Sequence, residues 1–106
     1  MIDEKLLGSA VERLVQSIDP QRIILFGSQA RGTADSRSDA DLLVISGFNG
    51  KRRERLAELY LALSNSGFAQ DIVLLTPEEY ERERKIPGTV ARPAWQEGIV
   101  LYERSR

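Results

Sequence analysis

Asp39 and Asp41 flank Ala40 at the head of an apolar run, Leu42-Leu43-Val44-Ile45. Side chains two apart on a strand share a face, so both carboxylates project the same way. Aspartate is disfavoured inside strands. Two like charges on one face also repel unless a cation lies between them. A solubility charge at a strand edge accounts for Asp39 alone. It does not account for Asp41, because the residues behind it enter the core. Asp71 repeats the oddity, with Ile72-Val73-Leu74-Leu75 directly after it. If the two strands are neighbours, ~4.8 Å apart, the third carboxylate joins the same cluster. Three carboxylates at one sheet end suit Mg²⁺, a hard ion that takes oxygen ligands and keeps waters for substrate phosphates. Two such ions ~4 Å apart can clamp the attacking and leaving oxygens of an in-line displacement.

Gly27-Ser28 supplies the complementary chemistry. Glycine lets a backbone approach a ligand closely. A short helix beginning here would offer unpaired N–H groups and a positive dipole end to a triphosphate. The Ser28 hydroxyl can donate to a phosphate oxygen, or it can simply cap the helix of Gln29-Ala30-Arg31. Arg31 has two candidate roles, binding phosphate or pairing with one of the aspartates. Other phosphate loops fit worse. A P-loop ends in Gly-Lys-Ser/Thr, and GSQARG has no such lysine. The dinucleotide pattern of three glycines is missing as well.

These groups must be positioned by a small α/β chain. Leu7, Val11, Leu14 and Ile18 recur at helical spacing, predicting a helix over Asp3 to Ser17 that ends at Asp19-Pro20. Arg22 to Phe26 reads as a strand, then comes the short helix closed by Gly32. Thr33 to Ser38 is a polar loop, Asp39 to Ile45 a second strand, and Ser46 to Gly50 a turn. Lys51 to Ser66 is a helix with Leu56, Leu59, Tyr60 and Leu63 on one face. Phe68 to Leu75 is a third strand. Thr76-Pro77-Glu78-Glu79 is a capped helix start, and that helix runs to Lys85. Thr89 to Glu97 is a last short helix, and Ile99 to Tyr102 a final strand. The order α-β-α-β-α-β-α-α-β predicts an α/β (α+β) fold, a small mixed sheet of about four strands flanked by helices.

Composition narrows the chemistry. The 106 residues suit one domain, 1–106, with a single core. Apolar residues make up 42% and charged residues 29%, the balance of a soluble globular chain. No apolar run approaches the ~20 residues that span a bilayer. With no cysteine, thiolate chemistry is excluded and the expected setting is the cytoplasm. With no histidine, the usual neutral-pH base is missing, so catalysis must rest on carboxylates, hydroxyls, Lys/Arg and hard metals. A net charge of −1 argues against general nucleic-acid binding.

GSQARG, the ten residues between Ser28 and Asp39, and SDADLLVI together resemble the signature of the DNA polymerase β nucleotidyltransferase superfamily. More narrowly they resemble the minimal nucleotidyltransferase (MNT) family of bacteria and archaea. QDIVLLTPEEY is similar to that family's third-carboxylate strand and following helix, and AWQEGIVLYE to its usual ending. The resemblance covers essentially the whole chain. It implies the nucleotidyltransferase fold, with NTP phosphates held by Gly27 and Ser28. It implies two Mg²⁺ ions bound by Asp39 and Asp41, with Asp71 completing one site and helping to deprotonate an acceptor hydroxyl. It also implies transfer of AMP from ATP, in the manner of a protein adenylyltransferase. In that family a frequent companion is a separately encoded all-helical HEPN toxin, and the MNT member acts as antitoxin by adding AMP to a tyrosine of the toxin. Two positions depart from the pattern. Ala40 stands where a larger aliphatic is common, and Gln29 where a basic residue is common.

Rival readings remain alongside. A catalytically silent nucleotide-binding antitoxin would neutralise its partner by contact alone. Addition to an RNA end or a small molecule usually needs further acceptor-binding domains. A homodimer is compatible with either. Lys51-Arg52-Arg53-Glu54-Arg55 opposes the dipole of its helix, and is read as a solvated face in preference to a partner site. Glu78 to Lys85 reads as an exposed helix with internal ion pairs. Trp95 and Tyr102 read as packing residues rather than base-stacking ones. Arg92 and Arg104 could reach phosphate, although nothing in their spacing requires it.

Overall fold

A computed structural model describes residues 2–33 and 39–105. The loop expected over Thr33 to Ser38 falls outside these residues from position 34 onward. Helix α1 spans Glu4–Ile18, with Asp3 as its N-cap accepting the Lys5 amide at 2.7 Å. Asp19 closes it in the left-handed conformation. Strand β1 is Arg22–Phe26, α2 is Ser28–Arg31 and β2 is Ala40–Ile45. They are followed by α3, Arg52–Ala62, and β3, Gln70–Leu75. Helices α4, Pro77–Glu83, and α5, Ala91–Glu97, precede β4, Ile99–Glu103.

The four strands form one mixed sheet in the order β3-β2-β1-β4. β1 pairs antiparallel with β2 and β4, while β2 and β3 run parallel, joined through α3. Helices α1 and α3 cover one face, burying Leu14, Leu59 and Leu63 against Ile23, Leu25, Leu42 and Val44. Burying each such side chain contributes roughly 1.5–3 kcal/mol. Helices α4 and α5 cover the other face, where Tyr80, Ala91 and Ala94 meet Ile24, Leu43 and Ile45. Among the described residues no helix is long and apolar enough to cross a membrane.

Several boundaries differ from those the sequence predicts, each for a local reason. α3 stops at Ala62 rather than Ser66 because its end tightens: Ser64 and Ser66 amides donate to Leu61 and Leu63 carbonyls, three residues back. Asn65 turns left-handed, and buried Ser66 donates its hydroxyl to the Phe68 carbonyl. That hook delays β3 from Phe68 to Gln70. α4 ends at Glu83 rather than Lys85 because Thr89 Oγ1 donates to the Glu83 and Ile86 carbonyls. Thr89 is thereby spent on the connection, and α5 begins at Ala91. The capping box at Thr76 and Glu79 forms as the sequence predicts.

Candidate active site

Ser28 is not the cap of its helix. Gly27 holds the N-cap position, and its carbonyl accepts the amides of Ala30 and Arg31. Gly27 sits at φ 75°, ψ −155°, a region essentially restricted to glycine. Its conformation places Ser28 inside the first turn, which removes the geometry a capping hydroxyl needs. A side chain at Gly27 would also collide with Asp41 Oδ2. The turn and the strand acid are therefore in direct contact.

Asp41 is the one residue of β2 that is not fully buried. It lies between two register partners, Phe26 on β1 and Asp71 on β3. Because β2 and β3 run parallel in this register, Asp41 and Asp71 stand side by side at the same end of the sheet. Asp39 is exposed one residue before β2, and the Ala40 amide donates to the Ala69 carbonyl at 2.9 Å, extending the pairing to that point. Ala40 itself is wholly buried.

Electrostatics tie the three acids together. Burial pushes the Asp41 carboxyl above the usual carboxylate range, and the charges of Asp71 and then Asp39 push it further. Arg31 opposes them. Among the described residues Arg31 forms an ion pair, at 3.5 Å, with Glu97 at the end of α5 rather than with an aspartate. That partner lies 66 residues away in sequence, and no motif announces it. As the side chains lie, no three acids among the described residues converge to share one metal ion. The donor chemistry nonetheless suits a hard divalent cation: paired carboxylates, one partly buried, whose mutual repulsion outweighs the opposing charge of Arg31.

A Nucleotidyltransferase domain family matches residues 5–94, which contain the Gly27 turn and all three acids. The chain belongs to the nucleotidyltransferase domain family. A Methanocaldococcus jannaschii protein provisionally named a protein adenylyltransferase is 47% identical over a matched stretch of 58 residues that covers 49% of this chain. The match spans only 40% of that relative's length. Solved structures share the fold at lower identity. A provisionally assigned nucleotidyltransferase from Sulfolobus solfataricus superposes with a TM-score of 0.58 at 22% identity, over 94% of this chain and 79% of that one. A toxin–antitoxin complex with AMP-PNP gives 0.62 at 20% identity, and a mutant of the toxin–antitoxin pair MntA-HpeT gives 0.63 at 19%. Each covers 92% of this nucleotidyltransferase domain and 74% of the matched chain.

Most of the remaining sequence candidates of this domain have structural partners. Arg52 pairs with Glu79 at 2.6 Å and stacks over Phe48, and Arg55 pairs with Glu58, so the basic start of α3 is compensated in part, while Lys51 and Arg53 stay exposed as a solvated face. Arg84 pairs with Glu81 and stacks over the half-exposed Trp95. Arg92 donates to the Lys85 carbonyl, and Arg104 to Asp19. Tyr102 packs against the α1–α3 side of the core. Gln29 is buried at 3% exposure.

Proposed function

We propose that this domain transfers a nucleoside monophosphate, AMP from ATP, to a hydroxyl on a partner protein. The single observation that supports this is the parallel register that sets Asp41 beside Asp71, with the Gly27 turn against Asp41. In this reading Gly27 and Ser28 hold the NTP phosphates, and Arg31 adds positive charge at their edge. Asp39, Asp41 and Asp71 would hold two Mg²⁺ ions, which would neutralise charge on the phosphates. The acceptor oxygen attacks the α-phosphorus, the α–β bridging bond breaks, and pyrophosphate leaves. The hydroxyl proton passes to Asp71. Most of the rate gain comes from positioning and charge stabilisation.

The acceptor in this reading belongs to another chain. The relative named as a protein adenylyltransferase favours a protein acceptor. The toxin–antitoxin neighbours favour a toxin partner, and we assign it to the helical HEPN class with a tyrosine as acceptor.

The test is to incubate the domain with purified partner, Mg²⁺ and α-labelled ATP. Label should appear on the partner and disappear with Asp39→Asn or Asp41→Asn. If both variants still suppress the partner, neutralisation is by contact, and absence of label on the partner with the unsubstituted domain would overturn the transfer reading. Label on RNA or a small molecule, with none on protein, would reassign the acceptor.

A further inference from the structure

On the sheet face opposite Asp41, an apolar groove of about 530 Å³ runs between α1 and the edge strand β4. Its walls are Ile2, Leu7 and Val11 on one side and Leu25, Ile99 and Leu101 on the other. Ile99 remains 43% exposed at an open sheet edge. Three features say what would cover it.

The first is Gly8, which lies in the interior of α1 and lines the groove. A glycine there weakens the helix relative to alanine. Nothing among the described residues requires it, because a Cβ at Gly8 would meet nothing within 4 Å. A glycine on an otherwise unobstructed helix face lets a second backbone come close.

The second is charge. Glu4 and Glu12 stand one turn before and one turn after Gly8, on the same stripe of α1, and both line the groove. Neither has an ion-pair partner among the described residues. The apolar cleft therefore has an acidic rim. The third is a bulge in β4. Ile23 pairs with Tyr102 while Ile24 pairs with Val100, leaving Leu101 as the extra residue. A bulge at an edge disrupts the ladder and blunts further strand pairing, so an added strand is the wrong shape.

We propose that this groove receives an amphipathic helix of a partner protein, with an aliphatic stripe seated between α1 and β4 and Lys or Arg side chains facing Glu4 and Glu12. Its backbone crosses α1 at Gly8. The inference does not depend on the transfer reading, since the groove and the acid cluster occupy opposite faces and can fail separately.

The probe is a synthetic helix of about five turns with a leucine stripe and lysine flanks, long enough to be stable when bound. Binding is followed by fluorescence anisotropy, and the site by amide NMR shifts. Saturable binding should shift Leu7, Gly8, Val11 and Ile99, and a glutamate-flanked peptide should not bind. Glu4→Lys with Glu12→Lys should weaken binding about tenfold. Gly8→Ala should raise the melting temperature of the free domain, yet weaken the peptide about fivefold by obstructing the close approach. A Gly8→Ala variant that is more stable and binds equally well would overturn the proposal. Equal binding of the acidic peptide, absence of shifts in the groove, or sedimentation showing that a second copy of the chain fills it would do the same.

Discussion

Asp41 is held in a position that disfavours its own charge. Its carboxyl is raised by burial and by its two acidic neighbours. A raised folded-state value means that the fold binds the proton more readily than the unfolded chain does. The ionisation of Asp41 therefore costs stability as pH rises from the ordinary carboxylate value through the folded one. Asp41→Asn removes that cost. In urea titrations without divalent metal, the variant should have the higher midpoint at pH 7. The gap should close near pH 3.5, below the ordinary value of about 3.9. A lower midpoint at pH 7 would show that the charge is already compensated. Gly27→Ala acts in the opposite direction. It forces a side chain into a glycine-only conformation and against Asp41 Oδ2. Backbone strain alone should remove about 1–3 kcal/mol, and transfer should fall with it. An alanine variant with wild-type stability would show that the turn can relax.

At the scale of elements, two helix starts are tied together. Glu79 closes the capping box of α4 and accepts Arg52 from the start of α3. Its carboxyl is held below its usual range first by the Thr76 amide, then by Arg52, against the opposing effect of burial. A depressed folded value contributes stability above the unfolded pKa of about 4.3, and that stability is lost as pH falls through the folded value. Glu79→Ala should therefore cost about 1 kcal/mol at pH 7, as loss of a cap does. By pH 3 the difference from wild type should shrink, as read by chemical denaturation. The capping box is local chemistry over four residues and was legible in Thr76-Pro77-Glu78-Glu79. The Arg52 contact crosses 27 residues and was not. Helix ends were misplaced for a different reason: Ser66 and Thr89 bond to carbonyls two to six residues away, in local turns that the hydrophobic period does not encode.

For the whole molecule, the sheet order decides the site. Parallel pairing of β2 with β3 brings acids 30 positions apart to one sheet end. A ligand that binds only the folded site stabilises it by about 2.7 kcal/mol at a hundredfold excess over Kd. Mg²⁺ with a non-hydrolysable ATP analogue should accordingly raise the melting temperature by at least about 5 °C in a domain this small. Chelation with EDTA, or Asp41→Asn, should abolish the shift, and a shift that persists in both would place nucleotide elsewhere. The sequence by itself determined which segments become helix and strand, because hydrophobic period, caps and glycines are encoded over a few residues. It also marked Asp39, Asp41 and Asp71 as anomalous, since a charge at the head of an apolar strand contradicts its surroundings. Only the tertiary structure decided that β3 lies beside β2, that Arg31 turns to Glu97, and that β4 leaves a groove beside Gly8. Those outcomes depend on contacts between distant segments, and sheet pairing closes them only when the whole core assembles.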